Sequence, residues 1–124
     1  MSYKILLVED DFNTLQGLKT FLENEGFCVD IADNGKDAYT LLQDGEYSIV
    51  ITDINMPFMD GLNFLSKIRN LDEEIPVVVI TAYSNIENMV VAFDLGAVEF
   101  IEKPFDPDVL LESVKKILSI NLEL

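Results

Sequence analysis

Residues 48–53 read Ser48-Ile49-Val50-Ile51-Thr52-Asp53, an apolar β-rich run that stops on a carboxylate. Ile49, Val50 and Ile51 follow one another without a polar break, so a strand built from them has no face to give to water. It must be covered on both sides, as strands of parallel sheets are. Val77-Val78-Val79-Ile80 repeats the pattern and ends at Thr81. Three further β-rich runs, Lys4 to Val8, Cys28 to Ala32 and Glu99 to Glu102, stand at similar intervals, each followed by an amphipathic stretch of ten or more residues. In those stretches apolar residues recur on one helical face: Leu15, Leu18 and Leu22; Ala38, Leu41 and Leu42; Leu65 and Ile68; Ile86, Met89, Val90 and Phe93; Leu110, Leu111, Val114, Ile117 and Leu118. Asn13 with Gln16 and Ser84 with Glu87 have capping-box spacing, and Asp106 offers an N-cap before Pro107. Gly26, Gly45 and Gly96 stand where helices should end. Five βα units with short links predict an α/β fold with right-handed crossovers, a three-layer sandwich of five parallel strands between five helices.

The chain has 124 residues, a size suited to one domain that hides roughly two-thirds of the surface its unfolded chain exposes. That domain is expected over residues 1–120, with Asn121-Leu122-Glu123-Leu124 as a C-terminal tail or the start of a linker. Composition is 49% hydrophobic, too apolar for a disordered acidic chain, yet the longest apolar runs are far too short to span a bilayer. The amino terminus runs directly into Lys4-Ile5-Leu6-Leu7-Val8 without the features of a signal peptide, so a cytoplasmic protein without membrane attachment is expected. Against 23 acidic residues stand 8 basic ones, a formal charge of −15 that repels a phosphate backbone and argues against direct nucleic-acid binding. The single cysteine, Cys28, cannot form an internal disulfide and reads as a small buried hydrophobe.

In an open parallel sheet the residues that leave the carboxyl ends of the strands gather on one edge, where ligands bind near the point at which strand order reverses. Here those residues are Glu9-Asp10-Asp11, Asp53, Thr81 and Glu102-Lys103-Pro104. With strands ordered 2-1-3-4-5, the first and third are neighbours and their acids face one another. Carboxylates that close cannot all stay ionised without a compensating charge, so they should bind a hard cation or raise their pKa values. An all-oxygen ligand set in a protein with no histidine selects Mg²⁺ or Mn²⁺ over zinc or copper. Mg²⁺ held by one or two carboxylates usually completes its shell with phosphate oxygens, which points to phosphoryl chemistry. Lys103 and the hydroxyl of Thr81 would contact the oxygens of a phosphoryl group carried on a carboxylate.

Four pieces in order, Leu7-Val8-Glu9-Asp10, Asp53-Ile54-Asn55-Met56-Pro57 with Asp60-Gly61, Thr81-Ala82 and Lys103-Pro104-Phe105, each end a strand, and over essentially its full length the chain resembles the receiver domain of bacterial two-component response regulators. The resemblance implies the flavodoxin-like, CheY-like strand order 2-1-3-4-5. It implies that Asp53 accepts a phosphoryl group from a partner histidine kinase or phosphotransfer protein. Asp10 would then bind Mg²⁺ directly and Glu9 through water, with Asp53 and the carbonyl of Asn55 as further ligands. Thr81 and Phe100 would switch together, Lys103 would pair with the phosphoryl group, and the Lys103–Pro104 peptide would be cis. Such a domain is a signalling receiver that catalyses only its own phosphorylation and dephosphorylation. It changes what its face of fourth helix, fifth strand and fifth helix binds, and dimerisation through that face is common. Asn55 and Tyr83 stand where side chains of such domains influence how fast water reaches the acyl phosphate.

Each residue also has a plainer reading: Glu9, Asp10 and Asp11 as acids leading into a helix, Asp11 most of all, Thr81 as a strand-end threonine, Phe100 as core. The apolar loop Met56, Pro57, Phe58, Met59 either packs on its own domain or faces a kinase. A phosphatase of the haloacid dehalogenase kind also uses an aspartate after a parallel strand, but it wants a second aspartate where this chain has Asn55, and a cap for which there is no room. A flavodoxin-type electron carrier would need a Ser/Thr/Gly-rich phosphate loop after the first strand, which is missing, and a non-phosphorylated interaction module would not need the whole acceptor set. The stretch from Thr81 to Phe105 is similar to receivers of the nitrogen-regulation class, which carry ATPase and DNA-binding domains downstream, and to segments of hybrid kinases.

Overall fold

Five alternations of strand and helix run along the chain: β1 Lys4–Val8, α1 Phe12–Asn24, β2 Cys28–Ala32, α2 Gly35–Asp44, β3 Ile49–Thr52, α3 Gly61–Leu71, β4 Val77–Thr81, α4 Ile86–Asp94, β5 Glu99–Glu102 and α5 Pro107–Leu118. This computed structural model describes residues 3–54, 61–71, 74–82 and 85–118. All five strands are parallel and lie in the order β2-β1-β3-β4-β5, so the chain reverses direction across the sheet between β1 and β3.

Alternation along the strands divides the core in two. Leu6, Val8, Val50, Val77 and Val79 point to the face covered by α2, α3 and α4, where Ala38, Leu42, Phe64, Leu65, Ile68 and Ala92 meet them. Ile5, Leu7, Ile49, Ile51, Val78 and Ile80 point to the face covered by α1 and α5, against Leu15, Leu18, Leu22, Leu110, Leu111 and Val114. β3 and β4 are buried at every position, which is why neither carries a polar residue before Thr52 and Thr81. Each fully buried aliphatic side chain contributes about 1.5–3 kcal/mol of burial free energy, so the central strands are rigid supports for whatever follows them.

Three local readings of the sequence need correction. Helix α1 is capped not by Asn13, which lies inside its first turn, but by Asp11, whose carboxylate accepts the Thr14 backbone N–H at 3.0 Å. Helix α4 is capped by Asn85, whose Oδ1 accepts from the Asn88 N–H at 2.7 Å, while Ser84 lies outside the described residues. In both cases the true cap lies one or two residues from the expected one, because a side-chain oxygen three residues before a free N–H suffices and no glutamate or glutamine is needed to close a box. Cys28 is exposed, not buried. It opens β2, an edge strand, with its neighbours Phe27 and Val29 turned to the core.

The fourth helix differs most from its sequence reading. Its apolar stripe does not lie on the sheet: Ile86 is 79% exposed, Val90 52% and Phe93 44%, and within the helix only Ala92 is buried. The reason is packing geometry, since the small Ala92 and the following Leu95 and Ala97 make the core contact and rotate the stripe outward. At the other expected helix ends, Gly26 and Gly96 adopt φ of +99° and +95°, a left-handed backbone that glycine takes without steric penalty.

The two caps predict separable effects. Asn85→Ala should lower stability by about 1 kcal/mol in urea unfolding. Hydrogen bonds from Thr14 hold the Asp11 carboxyl below its ordinary value of 3.8, so its contribution is present above that pH and vanishes as pH falls through the lowered folded value. Asp11→Ala should therefore lower the melting temperature at neutral pH, with the gap from wild type closing in acid, whereas Asn13→Ala should leave it nearly unchanged.

Candidate functional site

Beyond each strand's last residue the parallel ladder continues by one hydrogen bond, and these bonds fix the polar residues at the sheet's carboxyl edge. The Glu9 N–H donates to the Ala32 carbonyl at 3.1 Å, the Asp53 N–H to the Val8 carbonyl at 3.0 Å, and the Lys103 N–H to the Thr81 carbonyl at 2.8 Å. Three main-chain positions from distant parts of the sequence are thus held in register with the neighbouring strands β2, β1 and β4. Their side chains converge. One carboxylate oxygen from each of Glu9, Asp10 and Asp53 lies within 4.8 Å of the other two. The Lys103 ammonium donates to Asp53 Oδ2 at 2.7 Å and also to Glu9 Oε1. Glu9 Oε2 accepts the Asp11 N–H at 3.1 Å.

Burial decides the electrostatics. Glu9 and Asp53 are buried, Asp10 is exposed, and Lys103 is only partly covered. Desolvation pushes the Glu9 carboxyl above its ordinary value, against the opposing pull of Lys103 and the Asp11 N–H. For Lys103, burial acts downward, but the hydrogen bonds to Asp53 and Glu9 together outweigh it and leave the ammonium harder to deprotonate than an ordinary lysine. Fully ionised, the three carboxylates outnumber the ammonium and leave two negative charges uncompensated. The donor set is entirely oxygen, partly buried and open on the Asp10 side. Those are the features that suit a hard divalent cation retaining some of its water, so the residues present fit Mg²⁺ or Mn²⁺.

The remaining residues singled out in the sequence sort by position. Thr81 ends β4 fully buried, on the strand next to β3. Phe100 lies on β5 opposite Val79, half-buried against the core, its ring centroid 6.4 Å from that of Phe93 on α4. The Lys103–Pro104 peptide is cis. Asp11 is a helix cap whose backbone, not its carboxylate, touches the cluster through Glu9. Asn55, Met56, Pro57, Phe58, Met59, Asp60 and Tyr83 lie outside the described residues. One feature escaped sequence reading: a groove of about 500 Å³ beside Lys103, between α1 and the segment leading to α5, floored by Leu18, Phe21, Pro104 and Phe105. Phe105 next to Pro104 was its only signal, because the facing residues come from the first helix.

Comparison with known proteins agrees with this fold. A family model described as response regulator receiver domain matches residues 5–115. Among curated relatives, the probable transcriptional regulator ycf29 of Porphyra purpurea is 35% identical over 120 residues, covering 95% of this chain and 57% of the relative. The probable transcriptional regulatory protein SilR of Salmonella typhimurium is 40% identical over 115 residues, covering 93% of this chain and 50% of the relative. The chain thus spans about half the length of the curated relatives it matches. Among solved structures, the CheY-like response regulator receiver domain protein of Methanospirillum hungatei superposes with a TM-score of 0.94 at 31% identity, covering 99% of this chain and 98% of that one.

The raised Glu9 value has a measurable consequence. A folded-state pKa above the unfolded one gives a contribution fully present below the ordinary value of 4.5 and lost as pH rises through the folded value. In chelator-treated protein, the stability of Glu9→Gln relative to wild type should therefore rise across that window, read as the difference in urea midpoint. A gap that moves the other way would show that Lys103 overcompensates the burial of Glu9, and a constant gap that the two cancel.

Proposed function

Because this chain belongs to the response regulator receiver domain family, whose members work with two-component partners such as histidine kinases, we propose that Asp53 stores a phosphoryl group taken from such a kinase or a phosphotransfer protein. The observation that carries the reading is the convergence of Glu9, Asp10 and Asp53 with Lys103 at the edge of a buried sheet. In this reaction an Asp53 carboxylate oxygen attacks the phosphorus of a phosphohistidine. An O–P bond forms, the N–P bond breaks, and the imidazole nitrogen leaves with the electron pair and is protonated from solvent. Glu9, Asp10, Asp53 and the carbonyl of Asn55 are the residues that would hold Mg²⁺, which supplies charge neutralisation for the transferring phosphoryl oxygens. Lys103, already hydrogen-bonded to Asp53, follows the negative charge outward onto the phosphoryl group. Thr81, from the neighbouring strand, donates its hydroxyl to another of those oxygens.

Registering the phosphoryl group in this way biases the α4–β5–α5 face between two packings, with Phe100 moving as Thr81 moves. The apolar stripe of α4 is already in solvent, which supports a role for this face in meeting an output partner or a second copy of the chain. The groove beside Lys103 supports docking of the phosphodonor where its histidine must approach. On this reading the chain is a receiver domain over residues 1–120 with a short tail or linker at 121–124. It acts in the cytoplasm, binds no nucleic acid itself, and catalyses only its own phosphorylation and dephosphorylation. Among the described residues no helix is long and apolar enough to cross a membrane.

Intact-mass measurement after incubation with acetyl phosphate and Mg²⁺ tests the proposal. Wild type should gain one phosphoryl group, Asp53→Ala none, and chelation should abolish the gain. Lys103→Ala should slow incorporation by about 100-fold, the order expected when one fixed charge on a transferring group is removed. Thr81→Ala should still accept phosphate but lose the response of the α4–β5–α5 face. Mg²⁺ at 100 times its Kd should stabilise the fold by about 2.7 kcal/mol, and Asp10→Asn should remove most of that shift. Labelling that persists in Asp53→Ala would end the assignment.

A further inference from the structure

Helix α4 is clamped at its C-terminal end. From Ile86 to Val91 it buries no side chain, and the Oδ1 of its cap, Asn85, accepts the Asn88 N–H within the helix. From Ala92 onward the situation reverses: Ala92 and Ala97 are buried and Leu95 packs on the core. The Gly96 and Ala97 N–H groups close the helix by donating to the Phe93 and Ala92 carbonyls, each at 3.0 Å. Onto this turn comes the guanidinium of Arg69, from the last turn of α3. Its Nε donates to the Leu95 carbonyl at 3.1 Å, and its Nη2 to the Ile75 carbonyl at 2.7 Å and, more weakly, to the Gly96 carbonyl at 3.4 Å. One planar, permanently charged group therefore ties together the end of α3, the segment leading into β4 and the negative end of the α4 dipole. Gly96 is matched to it, since a Cβ there would stand 2.7 Å from Arg69 Nε and the backbone φ is +95°.

We propose that Arg69 makes the C-terminal end of α4 a fixed hinge, about which the exposed N-terminal turns of the helix swing when the switch is thrown. The inference rests on the reading that phosphorylation of Asp53 repacks the α4–β5–α5 face. The N-terminal end is the one reached from Thr81 through only a few residues, so a small displacement at the strand end is delivered to the part of α4 that buries no side chain. Arg69 is a positioning residue: it touches neither phosphoryl group nor cation, and fixes the pivot.

Nuclear magnetic resonance on the full chain, with and without acetyl phosphate and Mg²⁺, tests the hinge. In wild type the methyl resonances of Ile86 and Val90 should shift on phosphorylation, while amide exchange of Gly96 and Ala97 stays the same in both states. Arg69→Lys keeps the charge but loses the fork. It should speed exchange of those two amides about tenfold in both states while phosphoryl incorporation at Asp53 continues. Loss of Gly96 and Ala97 protection in phosphorylated wild type would mean that the helix moves as a whole, and would overturn the proposal. So would unchanged exchange in Arg69→Lys. Should that variant fail to fold, the wild-type comparison decides alone. Absence of any incorporation at Asp53 in wild type would sink the receiver reading instead, and exchange in the unphosphorylated Lys variant would still decide whether Arg69 clamps the turn.

Discussion

The ion triad of Lys103 with Asp53 and Glu9 is the constraint on which the edge of the sheet depends. Two buried carboxylates would be expensive in a protein interior, and one ammonium relieves that expense only in part. The residual negative charge is what makes the site chemically useful. It favours a divalent cation there, while the Lys103 hydrogen bond holds Asp53 in place. Replaced by well-packed apolar residues, the same positions would make a more comfortable fold with nothing to offer a phosphoryl group.

Parallel topology explains why the triad can exist at all. Glu9, Asp53 and Lys103 come from three strands, and each is held by a main-chain bond that prolongs the ladder of a neighbour. An antiparallel arrangement would have sent alternate strand ends to opposite edges. With β1 and β3 adjacent at the reversal of strand order, their acids meet without any loop having to fold back. The rigidity of β3 and β4, buried at every residue, then limits how far the charges can relax away from one another.

Sequence alone was informative wherever one physical requirement acted at short range. Unbroken apolar runs in β3 and β4 could only be doubly covered strands, and the carboxylates at strand ends could only share one edge. Where two readings were physically equivalent, pattern did not separate them. Asp11 and Asn13 both supply a capping oxygen, and only the backbone of the preceding turn decides between them. Ile86, Met89, Val90 and Phe93 have the spacing of a core face, yet the small Ala92 and Ala97 won the contact because they let the helix approach the sheet. Cys28 looked buried from its apolar neighbours, but β2 is an edge strand, a fact that depends on strand order. Arg69 carried no local signal, because its acceptors are carbonyls, which every residue has.

The helix that pattern misread is also the one to which the proposed switch assigns a visible response. A switch requires an element whose alternative placements differ by a few kcal/mol, the scale at which one phosphoryl group and its hydrogen bonds act. Helices α1 and α5 each bury three aliphatic side chains and lie well beyond that scale. Helix α4 buries only Ala92, and Arg69 binds the turn that follows it. Exposure of the apolar stripe and the lack of buried side chains in the N-terminal turns therefore have one cause. The residue that packs is small, and the large apolar residues are left on a surface that, on the proposed reading, the charge at Asp53 re-aims.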